Sequence, residues 1–293
     1  MPIDLLLRGR STDVGGLPVT RVLPHPKRRF VGPFVFVDHL GPATIPPHRA
    51  MDVRPHPHIG LATVTYLFAG AMVHRDSIGC VQRIEPGDVN WMTAGRGIVH
   101  SERTPDDLRG RAVEAHGVQT WVGLPLEHED AEPSFVHCPA RDLPLIERPG
   151  AAIRVIAGHA FGQRSPVPVF SETLYCALEM QSGAALDIPA EHAERALLLA
   201  EGTIDIDGQA AAAGELAVLA GGSATIVAKE SARLMLLGGA PLGDRFLWWN
   251  FVASSRERIE RAKEQWSVYT PARGSRRFPA VPGETEFIPL PER

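Results

Sequence analysis

Apolar and polar positions along the chain alternate in short runs that stop at turns, and helical spacing is rare. Residues 59–68, Ile-Gly-Leu-Ala-Thr-Val-Thr-Tyr-Leu-Phe, are rich in β-branched and aromatic side chains and end at Ala69-Gly70. Pro86-Gly87-Asp88 forms a second turn signal and is followed by the strand-like 89–92. The pattern continues over 112–124 and resumes at 153–156, 173–178, 196–199, 203–206 and 215–219. Such side chains fit a pleated surface, and the bounding Gly and Pro residues supply turns. Between these blocks, residues 125–150 are acidic and punctuated by Pro125, Pro133, Pro139, Pro144 and Pro149. They read as a connection between domains. One helix is predicted late, over 255–266, with Ser254 as cap and Glu257 three residues on, and Ile259 and Ala262 among charged neighbours. The Pro-rich tail from Tyr269 is expected to lie extended across the surface.

An internal echo implies two similar domains. Gly87-Asp88-Val89-Asn90-Trp91-Met92-Thr93-Ala94-Gly95 aligns with Gly214-Glu215-Leu216-Ala217-Val218-Leu219-Ala220-Gly221-Gly222, and 66–70 aligns with 198–202. The expected division is 1–135, a connection at 136–150, and 151–293 carrying the helix and tail.

Composition removes several function classes. The 293 residues include 44% hydrophobic and 22% charged side chains with a net charge of −4, which disfavours a nucleic-acid surface. Three scattered cysteines (Cys80, Cys138, Cys176) form no CxxC pair and suit a reducing compartment. Cys80 is read as an unreactive small residue. The first residues, Met1-Pro2-Ile3-Asp4-Leu5, lack the basic start of a leader, and no apolar run reaches membrane-spanning length. A cytoplasmic monomer is expected.

The candidate chemistry lies in two short pairs. His56-Pro57-His58 places two imidazoles on one face if the segment is extended, and His100-Ser101-Glu102 repeats that spacing with a carboxylate. The 42 positions from His58 to His100 suffice for several strands to bring the pairs together. Imidazoles with one carboxylate suit Fe, Ni, Mn, Cu, Co or Zn. Twelve histidines in the chain also make one HxH easy to reach by chance, so spacing alone leaves surface and packing roles open.

Three stretches resemble the pirin family of the cupin superfamily: 56–70 from His56-Pro57-His58-Ile59-Gly60, His74-Arg75-Asp76-Ser77-Ile78-Gly79, and 86–102 with Trp91-Met92-Thr93-Ala94-Gly95-Arg96-Gly97-Ile98-Val99-His100-Ser101-Glu102. Residues 31–42 also fit the family's opening segment. The likeness is dense over 20–125 and thinner but collinear afterwards. It implies an all-β bicupin, two facing antiparallel barrels with a short C-terminal helix. It also implies one divalent metal, usually iron, on His56, His58, His100 and Glu102. The general cupin carboxylate after the second histidine is replaced by Ala62 and Thr63, so Glu102 must serve.

In the second barrel the echo puts Val227 opposite His100 and Lys229 opposite Glu102, with Ile188 and Ala190 opposite the HxH. No second metal is expected there, and His192 is read as a surface residue. Gly95-Arg96-Gly97 is read as a turn delivering His100 rather than a nucleotide loop. His74 and His39 are read as structural, and Trp248-Trp249 as packing.

Two function classes follow from the resemblance. One is a dioxygenase that opens a flavonol such as quercetin with O2, with Glu102 as a candidate base. The other is a non-catalytic metal- or redox-sensing regulator that binds a transcription factor or metabolic enzyme.

Overall fold

The computed structural model describes residues 2–292, and they are nearly all β, with one α-helix of 12 residues, Arg256–Ser267. Expected strands are present: Val89–Thr93, Ala151–Ala160, Thr173–Met180 and Glu194–Glu201 are longer than expected, Leu61–Ala69 and Val113–Gly123 slightly shorter, and Thr203–Ile206 and Glu215–Leu219 have the expected bounds. The proline-punctuated 125–150 stretch is more structured than a plain connection. It carries the strands Ser134–Cys138 and Leu145–Arg148 between single 3-10 turns.

The chain divides into two compact units. One comprises Met1–Thr12, Thr20–His39 and Cys138–Pro241; the other comprises Asp13–Val19, Leu40–His137 and Leu242–Arg293. These packing units exchange the ends of a linear division. Ile3–Arg8 pairs antiparallel with Glu215–Leu219 in the first unit, whereas the late helix packs on Phe251–Ala253 of the second.

The first unit joins a sheet ordered Ile3–Arg8, Glu215–Leu219, Glu194–Glu201, Ala232–Gly239, Thr173–Met180, Ala151–Ala160 and Leu145–Arg148 to a four-stranded sheet. That smaller sheet runs Ala185–Ile188, Ala224–Ala228, Thr203–Ile206, Gln209–Ala212. Aliphatic side chains from both sheets, including Ile153, Leu178, Leu186, Ile204 and Ile226, form one core. The strands of the smaller sheet bury alternate residues, as a sheet with one wet face requires.

In the second unit the smaller sheet has the corresponding order: Val53–His58, Ile98–Arg103, Met72–Asp76, Val81–Ile84. Behind it, Ser134–Cys138, Val89–Thr93, Leu61–Ala69 and Val113–Gly123 are successive neighbours in the larger sheet. Leu61–Ala69 is buried along seven of its nine residues, which explains its nearly unbroken apolar run.

The helix start differs by one residue from expectation. Ser255 is the cap, its hydroxyl accepting from the Arg258 amide at 3.4 Å. Ser254 is otherwise engaged, since its amide (2.6 Å) and hydroxyl (2.7 Å) both donate to the Glu129 carboxylate. A buried carboxylate thus outcompetes the helix end for Ser254. The tail also departs from a surface course. It forms no strand, yet Phe278 is fully buried and Val281 nearly so, in a cluster with Ile59, Val99, Phe251, Ile259, Ala262 and Trp266. Trp266 stacks on Tyr269 at 4.0 Å between ring centroids and donates its indole N–H to the Ile288 carbonyl. Trp248 and Trp249 pack against the same cluster.

Because Phe278 is enclosed on all sides, Phe278→Ala should lower unfolding free energy by about 3–5 kcal/mol, read from urea midpoints. A loss well under 1 kcal/mol would mean that the tail is not part of this core.

Candidate metal centre

Strand geometry brings the two sequence pairs together. Val53–His58 lies antiparallel to Ile98–Arg103 with His100 opposite His56 and Ile98 opposite His58. A two-residue period then puts His56, His58 and His100 on one face. Their ring centroids lie 4.4 Å (His56–His100), 5.0 Å (His56–His58) and 5.0 Å (His58–His100) apart, and one ring nitrogen from each falls within 4.8 Å of the others. On the strand's other face, Ser101 donates to Glu284 at 2.6 Å and Arg103 binds Glu284 and Glu286, so the tail fastens the strand from behind.

Gly95 makes the turn before this strand. It has φ +49°, and a Cβ there would lie 1.8 Å from the Ala131 carbonyl oxygen. The Gly95-Arg96-Gly97 turn therefore needs glycine for close backbone approach, as expected from its role in presenting His100.

Each imidazole is oriented through Nδ1. His56 Nδ1 donates to the Arg54 carbonyl at 2.9 Å, and His58 Nδ1 donates to the Asn250 carbonyl at 3.1 Å. His100 Nδ1 lies 3.3 Å from His74 Nδ1. An Nδ1 that carries the proton leaves Nε2 with its lone pair. His58 Nε2 and His100 Nε2 are buried with no hydrogen-bond partner, an arrangement that costs free energy unless something electron-deficient takes their place. Three convergent nitrogen donors without protons fit a transition-metal ion.

The electrostatics agree. Burial lowers His56 from 6.5 to about 4, partly offset by the Arg54 carbonyl and reinforced by His74. Burial, followed by repulsion from His56, holds His58 well below its ordinary value, and the same two causes with His58 and His74 hold His100 there. All three imidazoles are neutral near neutral pH.

Glu102 is buried two residues after His100, and the pairing register with Val53–His58 shifts between them. Its Oε1 accepts from Gln119 Nε2 at 2.5 Å. Burial raises its carboxyl from 4.5 to about 7, opposed by hydrogen bonds from Gln119 and Thr65. Its oxygens are not among the atoms that cluster within 4.8 Å, so the structure gathers three of the four expected ligands directly.

His74 has a larger part than its sequence reading as a structural residue. It is buried, stacks on Phe135 at 4.4 Å, and bridges His100 to Asp76, whose Oδ2 lies 2.9 Å from His74 Nε2. The signal was present as a His-x-Asp pair with the same i, i+2 spacing as the HxH. Asn250 and Gln119 had no such signal, because their contacts depend on distant strands. His39 is buried in the first unit. Cys80 is pushed up to about 11 by burial and by Asp76, which disfavours the thiolate and fits the unreactive reading.

Strand pairing in the first unit repeats this pattern with different side chains. There Ile226 pairs with Leu186 and Ile206, Ala224 with Ile188, and Ala228 with Ile204. In the second unit His100 pairs with His56 and Asp76, Ile98 with His58, and Glu102 with His74. The position matching His100 is therefore Ile226, one residue from the Val227 expected, and Ala228 rather than Lys229 matches Glu102. Leu186 and Ile188 match the HxH. A one-residue slip exchanges strand faces, and Val227 and Lys229 are indeed on the wetter one. His192, expected on the surface, is buried, with Nδ1 2.8 Å from Glu172 and Nε2 donating to the His159 carbonyl.

Comparison with known proteins identifies the lineage. Residues 16–122 match the Pirin family and residues 175–270 match the Pirin C-terminal cupin domain. A pirin-like protein of Caulobacter vibrioides is 48% identical over 99% of this chain and all of its own. The chain belongs to the pirin family. A crystal structure of quercetin 2,3-dioxygenase from Acinetobacter baumannii has TM-score 0.87 at 34% identity, covering 99% of this chain and 97% of its own. A bacterial pirin of Escherichia coli in complex with nickel(II) shares the fold, with TM-score 0.64 at 18% identity over 81% of this chain and 99% of its own. Among the described residues of this pirin, no helix is long and apolar enough to cross a membrane.

The histidine shifts have a definite sign. The folded state holds the three imidazoles below their unfolded value near 6.5, so the unfolded state takes up more protons as pH falls. Stability of the metal-free protein should therefore decline from about pH 6.5 towards pH 4. Glu102 acts oppositely, since its raised folded value costs stability as pH rises from 4.5 to 7, but one group opposes three. Urea midpoints between pH 7 and 4.5 should fall less steeply in His58→Gln than in the wild type; parallel profiles would contradict the burial argument.

Proposed function

We propose that this pirin is a divalent-metal enzyme, with iron as the resident metal, that opens a flavonol-like aromatic with O2. The observation carrying this reading is the convergence of three buried imidazoles, His56, His58 and His100, two of which (His58 and His100) keep a buried Nε2 with no protein partner. The likeness to the Acinetobacter baumannii quercetin 2,3-dioxygenase over nearly the whole chain supports the reaction class. His56, His58 and His100 are assigned as ligands and Glu102 as the fourth.

A divalent metal held by these residues would supply Lewis acidity towards a substrate hydroxyl. The chain's own groups do the rest. Hydrogen bonds to Arg54 and Asn250 hold two imidazoles in orientation before anything binds. Trp121, itself buried, lies edge-on to His58 at 5.1 Å and covers that wall of the cluster. Glu102, a carboxylate whose Oε1 is held by Gln119, is suited to accept the proton released by a flavonol hydroxyl.

The test is anaerobic loading with Fe(II), and separately Ni(II), Mn(II) or Co(II), followed by O2-dependent loss of flavonol absorbance. Turnover is expected with at least one metal, and Glu102→Gln should reduce it by about 100-fold or more while the histidines still bind metal. Full activity in Glu102→Gln would remove the proton-holding role. A demonstrably filled site with no turnover on any flavonol would point to the metal-sensing regulator instead.

A further inference from the structure

The three inward imidazoles are not tethered alike. His56 and His58 donate to backbone carbonyls, which can only accept and so dictate a single tautomer. His100 faces another imidazole, and Nδ1 to Nδ1 contact is productive only if one ring donates and the other accepts. Asp76 decides which. Its Oδ1 accepts the amides of Ile78 and Cys80, both at 3.0 Å, which fixes the carboxylate in place. Its Oδ2 then faces His74 Nε2 at 2.9 Å, and this contact requires the His74 proton to sit on Nε2. In the neutral ring His74 Nδ1 is then an acceptor, His100 Nδ1 donates to it, and His100 Nε2 keeps its lone pair. The reverse arrangement sets the bare Nε2 of a neutral His74 against the carboxylate, two acceptors face to face.

A structural role for His74 and Asp76 is weighed by the chain itself. In the first unit the same pairing positions hold Ile204 and Ile206, both fully buried, in a barrel whose other matching positions are Leu186, Ile188 and Ile226. The fold therefore closes without a buried His–Asp pair. The five polar side chains occur together in one unit and are all aliphatic in the other, so His74 and Asp76 go with the imidazoles rather than with the barrel.

We propose that His74 is a positioning residue for the histidine cluster: backed by Asp76 and stacked on Phe135, it accepts the Nδ1–H of His100 and locks the tautomer that presents His100 Nε2 to the metal. This rests on the metal-site reading above. Hydrogen bonding at its remote nitrogen also raises the basicity of His100 Nε2.

The test uses the full-length protein, Ni(II) as probe and two substitutions. His74→Phe preserves a ring against Phe135 but has no acceptor. His74→Asn places a carbonyl oxygen near the position of Nδ1. Ni(II) affinity, measured against a competing chelator, should fall about 10- to 100-fold in His74→Phe and recover most of that loss in His74→Asn. Long-range 1H–15N spectra of the metal-free protein should show His100 protonated on Nδ1 in the wild type and mixed between tautomers in His74→Phe, with His56 and His58 unmoved. A residue that only filled space would not produce this single-ring change. Equal Ni(II) affinity in wild type and His74→Phe, or a wild-type His100 protonated on Nε2, overturns the inference. The wild-type spectrum decides it even if His74→Phe does not fold. Failure of the wild type to bind Ni(II), by contrast, overturns the metal-site reading itself.

Discussion

Neutral imidazoles buried side by side are the constraint to which the rest of the second unit answers. Three such rings cannot all be protonated in a dry pocket, and each must still place its N–H somewhere. The strand Val53–His58 supplies one carbonyl from its own backbone, the turn at Asn250 supplies another, and the His74–Asp76 pair completes the third. With every Nδ1 engaged, one ring nitrogen of each histidine faces the others, an arrangement that fits a cation. Such preorganisation lowers the reorganisation cost of binding.

Much of the surrounding structure serves that arrangement. Glu284 and Glu286 in the tail grip the outer face of Ile98–Arg103 through Ser101 and Arg103, so the tail's burial of Phe278 and Val281 stabilises a ligand strand. Gly95 brings the turn before that strand against Ala131, and Ser254 is held by Glu129 at the entrance to the helix. The hairpin that offers the Asn250 carbonyl turns through Trp249 at φ +52°, an uncommon conformation for a bulky residue, supported by packing against Phe251.

The two units provide an internal comparison of what a barrel needs and what a site needs. Identical pairing relations join Leu186, Ile188, Ile204, Ile206 and Ile226 in one, and His56, His58, His74, Asp76 and His100 in the other. The aliphatic set removes apolar surface from water and asks for nothing else. The polar set forgoes that gain and depends instead on hydrogen bonds and, in the proposed function, on a metal.

Local pattern was enough to indicate eight of the strands, several turns, the all-β class and the two short pairs, because side-chain alternation and glycine or proline placement are properties of neighbouring residues. Thr203–Ile206 and Glu215–Leu219 have the bounds that their composition indicates. Motif density from Trp91 to Glu102 likewise carried the family relationship. Decisions involving distant partners were not legible. Register in the second repeat hinges on which strand face meets the core, and an echo aligned by glycines slips by one residue at Val227. Ser254 left the helix cap because Glu129 claimed it, the tail turned inward because the cluster around Trp266 had room for Phe278, and His74 acquired its role because Asp76 and His100 flank it across a sheet. Sequence alone thus determined which residues could act as donors, whereas tertiary structure decided where each proton sits, since that depends on the acceptor each ring meets after folding.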